Sequence, residues 1–222
     1  MFATLRRISR STSLVLLVLF LPALLFAATP TVERTGAVSA PGVTDDLKKA
    51  IEDKGYRVTL DDGWTAEFWF ARALPSAGKE SSGALYPWFA NGEFVAVANF
   101  PKGASDYRGQ ALPPGLYTLR YQYLPQDANH LGVSPNPDFV LAIPAGADAI
   151  PGDNLPLKRL VALSAKSTGT AHPAVFAMAA AGTPSAVAKD DQGMIVLTVE
   201  VPTASDKAAK KLGIVIKGQA IQ

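Results

Sequence analysis

A mainly β, antiparallel fold, an immunoglobulin-like β-sandwich with two short helices, is what this sequence predicts. Three observations carry the expectation. Short segments rich in Val, Ile, Phe, Tyr and Thr alternate with polar residues, as strands with one buried face do. Turn formers are plentiful, with 18 Gly and 17 Pro in 222 residues. Most connections between the apolar segments are too short or too irregular for helical crossovers, which favours antiparallel pairing. A barrel is the runner-up architecture.

The first 28 residues stand apart. Arg6, Arg7 and Arg10 form a basic head, Leu14 to Ala28 is an apolar run broken by Pro22, and Ala27-Ala28 precedes Thr29-Pro30. That is the three-part layout of a secretory signal peptide, and fifteen apolar residues fall short of the roughly 20 that span a bilayer. Residues 29–42, rich in Pro, Gly, Thr and Ala, read as a flexible lead-in, and 43–222 as a single domain.

Thr44 caps a short helix in this reading, with Asp45 and Asp46 in its first turn, Leu47, Ala50 and Ile51 as its apolar stripe and Gly55 at its end. Tyr56–Leu60 alternates and meets Asp61-Asp62-Gly63, a hairpin signal. The return strand runs from Trp64 to Leu74, with Ala66, Phe68 and Phe70 on one face and Glu67 and Trp69 on the other. A polar loop, the aromatic stretch Leu85–Phe89 and the turn pair Asn91-Gly92 lead to a strand over Glu93–Phe100.

The central strand is Leu116–Leu124, entered through Leu112-Pro113-Pro114-Gly115. Its period of two puts Tyr117, Leu119, Tyr121 and Tyr123 on the buried side and Thr118, Arg120 and Gln122 toward water. Phe139–Ile143 is a continuous apolar run, expected to be buried on both faces. Asn154 and Pro156 open a second helix carrying Leu157, Leu160, Val161 and Ser164. Ala174–Met178, Met194–Val201 and Leu212–Ile216 complete roughly eight strands.

Charge and composition remove several functional classes. Three of the 21 Lys and Arg, and none of the 19 Asp and Glu, lie in the leader, so the remainder carries 18 against 19, a formal charge of −1. No basic surplus calls for nucleic acid or an anionic membrane. The chain has no Cys, so disulfides, thiolate catalysis and thiolate metal sites are excluded.

Gly55–Leu60, Asp106-Tyr-Arg-Gly-Gln110, Gly115–Tyr121, Asn129-His-Leu-Gly132 and Gly169-Thr-Ala-His-Pro173 together resemble a group of uncharacterised exported bacterial proteins with a β-sandwich-like character. The resemblance covers most of the chain from the first helix onward. It implies a periplasmic or secreted protein and assigns no catalytic residue.

His130 and His172 are the only histidines. With Asp127 they could hold a divalent transition metal, two imidazoles and a carboxylate leaving an open position. No His-Glu-x-x-His or His-x-His spacing supports that set. The alternative is that each imidazole ties down its own loop. Ser134 lacks the second Gly of a nucleophile elbow, and Ser164-Ala-Lys166-Ser167 has the wrong spacing for Ser-x-x-Lys. Arg108 and Arg120, set among tyrosines, could grip an anion bidentately, but packing of their stems over aromatic rings at the surface is the favoured reading.

The favoured reading is therefore a non-catalytic binding or structural module without a cofactor, with a metalloprotein as its rival. Its expected surface is one end of the domain, formed by Tyr86, Trp88, Tyr107, Arg108, Asn129 and His130. There, aromatic rings could stack on a carbohydrate or other small molecule, or dock a protein; the favoured alternative is that they plug the open end of the sandwich.

Overall fold

The computed structural model describes residues 29–74, 83–124, 134–153, 155–204 and 209–218. The first half carries β1 (Thr31–Thr35), α1 (Asp45–Ala50), β2 (Gly55–Thr59), β3 (Thr65–Phe70) and β4 (Phe94–Phe100). A small hairpin of β5 (Ala104–Ser105) and β6 (Ala111–Leu112) precedes β7 (Gly115–Tyr123) and β8 (Asp138–Pro144). Then follow α2 (Leu157–Thr168), β9 (Ala174–Ala179), β10 (Ala186–Lys189), β11 (Ile195–Val201) and β12 (Lys210–Lys217).

Ten strands form one sheet in the order β1-β2-β3-β4-β7-β8-β9-β12-β11-β10, with every neighbouring pair antiparallel. The chain is thus mainly β and antiparallel, with two α-helices among the described residues, as the sequence predicts. The sheet is nearly closed. Cα atoms of β1 come within 8 Å of β10, and Leu74, just past β3, exchanges backbone hydrogen bonds with Pro202 and Ala204 beyond β11. No helix among the described residues is long and apolar enough to cross a membrane.

β7 lies in the middle of the ladder, and its apolar face builds the interior. Tyr117, Leu119 and Tyr121 are buried. Leu119 faces Ala96 on β4 and Ala142 on β8, and Tyr117 faces Ala98. Large side chains opposite small ones let the curled sheet fill its own inside. Phe100 sits among four rings there, stacked on Phe176 at 5.6 Å and on Trp64 at 6.1 Å, with Tyr117 at 5.6 Å and Phe68 at 6.0 Å.

The other face of β7 corrects the sequence reading. Thr118, Arg120 and Gln122 are fully buried instead of solvated. Alternation separates two faces, but it does not say that the polar one meets water. Here the segment 145–153 lies over it. Arg120 Nε and Nη2 grip both oxygens of Asp148 at 2.8 and 2.7 Å. Its remaining donors reach Gly92 O, Asp153 O and Ile150 O, and Thr118 Oγ1 donates to Asp148 Oδ2 at 2.6 Å. The anion that Arg120 binds is this chain's own. Arg108, by contrast, is exposed.

Residues 29–42, read as a lead-in, contain β1, which pairs with β2 from Thr31↔Thr59 to Thr35↔Gly55. Past it, Gly36 O accepts Trp69 Nε1 at 2.9 Å and Val38 is buried. α1 forms as the sequence predicts, Thr44 Oγ1 accepting Leu47 N at 3.2 Å and Leu47 buried beneath it. Gly55 does not end that helix; it opens β2. A Cβ there would lie 2.6 Å from Trp69 Nε1, so its role is close approach.

α2 begins at Leu157 with Pro156 as its N-cap, and Gly169 closes it in the left-handed region at φ 65°. Asn154 lies outside the described residues. Leu160 and Leu163 pack on Phe139, Leu141 and Ile143 of β8. Ser164 and Ser167 both donate to Ala142 O, at 2.7 and 2.8 Å, which docks the helix on the sheet.

Candidate ligand cavity

At the end of the sheet where β2 turns into β3, three consecutive residues organise a cavity. Asp62 Oδ1 accepts Trp64 N at 2.9 Å, and Gly63 takes φ 74°. This tight turn presents the Trp64 indole inward, its Nε1 donating to Gly103 O at 2.8 Å. Gly103, at φ 76°, begins the β5–β6 hairpin, and a Cβ there would sit 2.6 Å from Leu112 O. Only glycine lets the hairpin fold back so closely.

Between that hairpin, the turn and the end of β12 lies a cavity of about 640 Å³. Trp64, Leu112 and Ile216 give it apolar walls, Ala104 and Ala111 flank it, and Lys102 and Lys217 stand at its rim. No carboxylate is among the described residues that line it. Lys102 Nζ donates to Gly63 O at 2.9 Å, and Lys217 Nζ pairs with Asp62 Oδ2. That hydrogen bond from Lys217, with help from the Trp64 amide, holds the Asp62 carboxyl below its ordinary range. Nothing in the sequence brings these positions together except the two turn signals at Asp61-Asp62-Gly63 and Lys102-Gly103.

The residues expected to share one surface divide between the two ends. Tyr86 plugs the opposite end. Its hydroxyl donates to Ala179 O at 2.5 Å and accepts Gly213 N at 2.8 Å, where β9 meets β12. Its own amide donates to Asp138 Oδ1, which also accepts the Tyr121 hydroxyl at 2.7 Å. Trp88 packs edge-on to Tyr86 at 5.4 Å, with Lys210 Nζ 4.4 Å above its ring.

Tyr107 and Arg108 belong to the β5–β6 hairpin instead. Tyr107 N donates to Val175 O near the start of β9, four residues or about 13 Å along the strand from Ala179. Its side chain packs against the cluster of Ala177, Ala179, Met194, Val196 and Val215. Asn129, His130 and Asp127 lie outside the described residues. His172 is exposed just after α2, its amide accepted by Thr170 Oγ1 and its carbonyl accepting Thr168 Oγ1. Among the described residues no three His, Asp or Glu side chains group to hold a metal.

Asp106 shows why two of the sequence motifs matter. Fully buried, its Oδ1 accepts Arg108 N and Gln110 N, and its Oδ2 accepts Gln110 Nε2 and Val175 N. Gln110 Nε2 also reaches Pro173 O, and Thr170 Oγ1 reaches Gln110 Oε1. Asp106–Gln110 and Gly169–Pro173 thus form one hydrogen-bonded clamp of structural character.

Burial pushes the Tyr86 phenol up to about 12, and burial with the Asp138 hydrogen bond raises Tyr121 too. An acid raised in the folded state holds its proton more tightly there. Stability is therefore complete below about pH 10 and is lost as pH rises from there through the folded value. Urea unfolding at pH 9 and pH 11 is expected to show that loss, and Tyr86→Phe to reduce it. An equal loss in both proteins would contradict this.

No family model matches the chain, and no curated protein or solved structure matches it.

Proposed function

We propose that the chain is an exported, non-catalytic β-module that binds a small ligand in the cavity beside Trp64. Export rests on the basic head, apolar run and small residues of the first 28 positions, and on the motif resemblance. The observation that carries the binding reading is the cavity itself. About 640 Å³ with apolar walls and a few polar groups at the rim is the usual form of a small-molecule site. The sandwich read from the sequence enters the proposal as a way of packing. It is supported by Phe100 on β4 stacking on Phe176 of β9, with β7 and β8 between them in the ladder.

1-Octanol is a suitable neutral probe. Six or seven buried methylenes at about 0.8 kcal/mol each correspond to a Kd of roughly 0.1–1 mM. Titration is expected to change Trp64 fluorescence, with Trp64→Phe identifying the reporter. Ala111 is exposed at the mouth, so Ala111→Trp should fill the entrance without disturbing the core and weaken binding at least tenfold. Neither heat nor fluorescence change at millimolar 1-octanol would remove the reading.

A further inference from the structure

The rim of the cavity is not electrically neutral in its contacts. Lys217 and Lys102 are both fastened to the same turn, one to the Asp62 carboxylate and the other to the Gly63 carbonyl. Two ammonium groups therefore stand beside the Trp64 indole, held by consecutive residues. Their situations differ. Lys217 already has a carboxylate partner, whereas among the described residues Lys102 has no ion pair and donates to a carbonyl. The turn's other acid, Asp61, is exposed and lines no part of the cavity. An ammonium has three donors, and Lys102 uses one of them here.

We propose that the ligand is a single-chain amphipathic carboxylate, its apolar body against Trp64, Leu112 and Ile216 and its anionic end on Lys102. This rests on the cavity reading above and names the ligand class. The apolar walls select length and shape, and Lys102 selects the sign of the charge, since none of the described lining residues carries a carboxylate to repel an anion or attract a cation. Asp62 on Lys217 shows the pairing of ammonium and carboxylate that this turn already accommodates. Lys217 plays the lesser part, because a ligand must share it with Asp62.

Isothermal titration of the leader-free chain with octanoate, 1-octanol, octylammonium and octyl phosphate tests the assignment. Octanoate is expected to bind about five- to tenfold more tightly than 1-octanol at low salt, the scale of one charged hydrogen bond at an exposed rim. Octylammonium should bind more weakly than either. Lys102→Met should remove the advantage of octanoate, read as the ratio of octanoate to 1-octanol affinity in the same variant, while Lys217→Met reduces octanoate affinity less than threefold. Equal binding of octanoate and 1-octanol would overturn the charge assignment while leaving the cavity reading intact. So would indifference to Lys102→Met. Tighter binding of octyl phosphate than of octanoate would overturn the carboxylate. Silence from both 1-octanol and octanoate would remove the cavity reading itself, and this inference with it.

Discussion

Replacing Arg120 with methionine is expected to destabilise the fold by about 3–5 kcal/mol, the usual consequence of removing one partner from a buried ion pair. All five guanidinium donors are used, two on Asp148 and three on the carbonyls of Gly92, Ile150 and Asp153. Methionine fills much of the volume but leaves the Asp148 carboxylate in a dry site with, among the described residues, the Thr118 hydroxyl alone to answer it. Lysine should rescue little, since a compact ammonium cannot reproduce a planar fork that reaches the carboxylate and three carbonyls together. Arg120→Met/Asp148→Leu should recover part of the loss, because it no longer buries an unpaired charge. Urea unfolding at pH 7 reads the series. A loss below 1 kcal/mol for Arg120→Met would mean that solvent reaches this pair.

Phe100→Ala should be comparably severe. Four aromatic rings meet that side chain, and truncating a buried Phe costs about 3–5 kcal/mol through lost transfer energy and the hole left behind. For a domain of about 150–250 residues this corresponds to a melting temperature lower by roughly 6–20 °C. The variant has a second expected effect. Phe100 does not line the cavity but backs the Trp64 indole that does, so 1-octanol affinity should fall even at temperatures where the variant stays folded. Unchanged affinity would show that the Nε1 bond to Gly103 and the turn hold Trp64 by themselves.

Period-two reading located the interior face of β7 because tyrosine and leucine positions alternate without interruption. The polar face was misjudged for a definite reason. Whether Thr118, Arg120 and Gln122 meet water depends on where the segment 145–153 lies, and its contacts to β7 span some 28 to 33 residues of chain. β1 was hidden in a Pro- and Gly-containing stretch because it is short, largely exposed and has no buried run to announce it. The cavity was equally hidden. Trp64, Leu112 and Ile216 come from three separate strands or turns, and each alone reads as ordinary core. The aromatic surface expected around Tyr86 and Tyr107 combined two loops that leave the sheet at different ends, a distinction set by strand direction, which local composition does not encode.

The first and last rungs of the ladder lie side by side. A lone sheet margin is a row of amides and carbonyls onto which a foreign strand can zip. Here each margin stands in the other's way, and β10 is only four residues long. In a chain without Cys, that arrangement leaves less open margin for such pairing than a flat sheet of the same strands would.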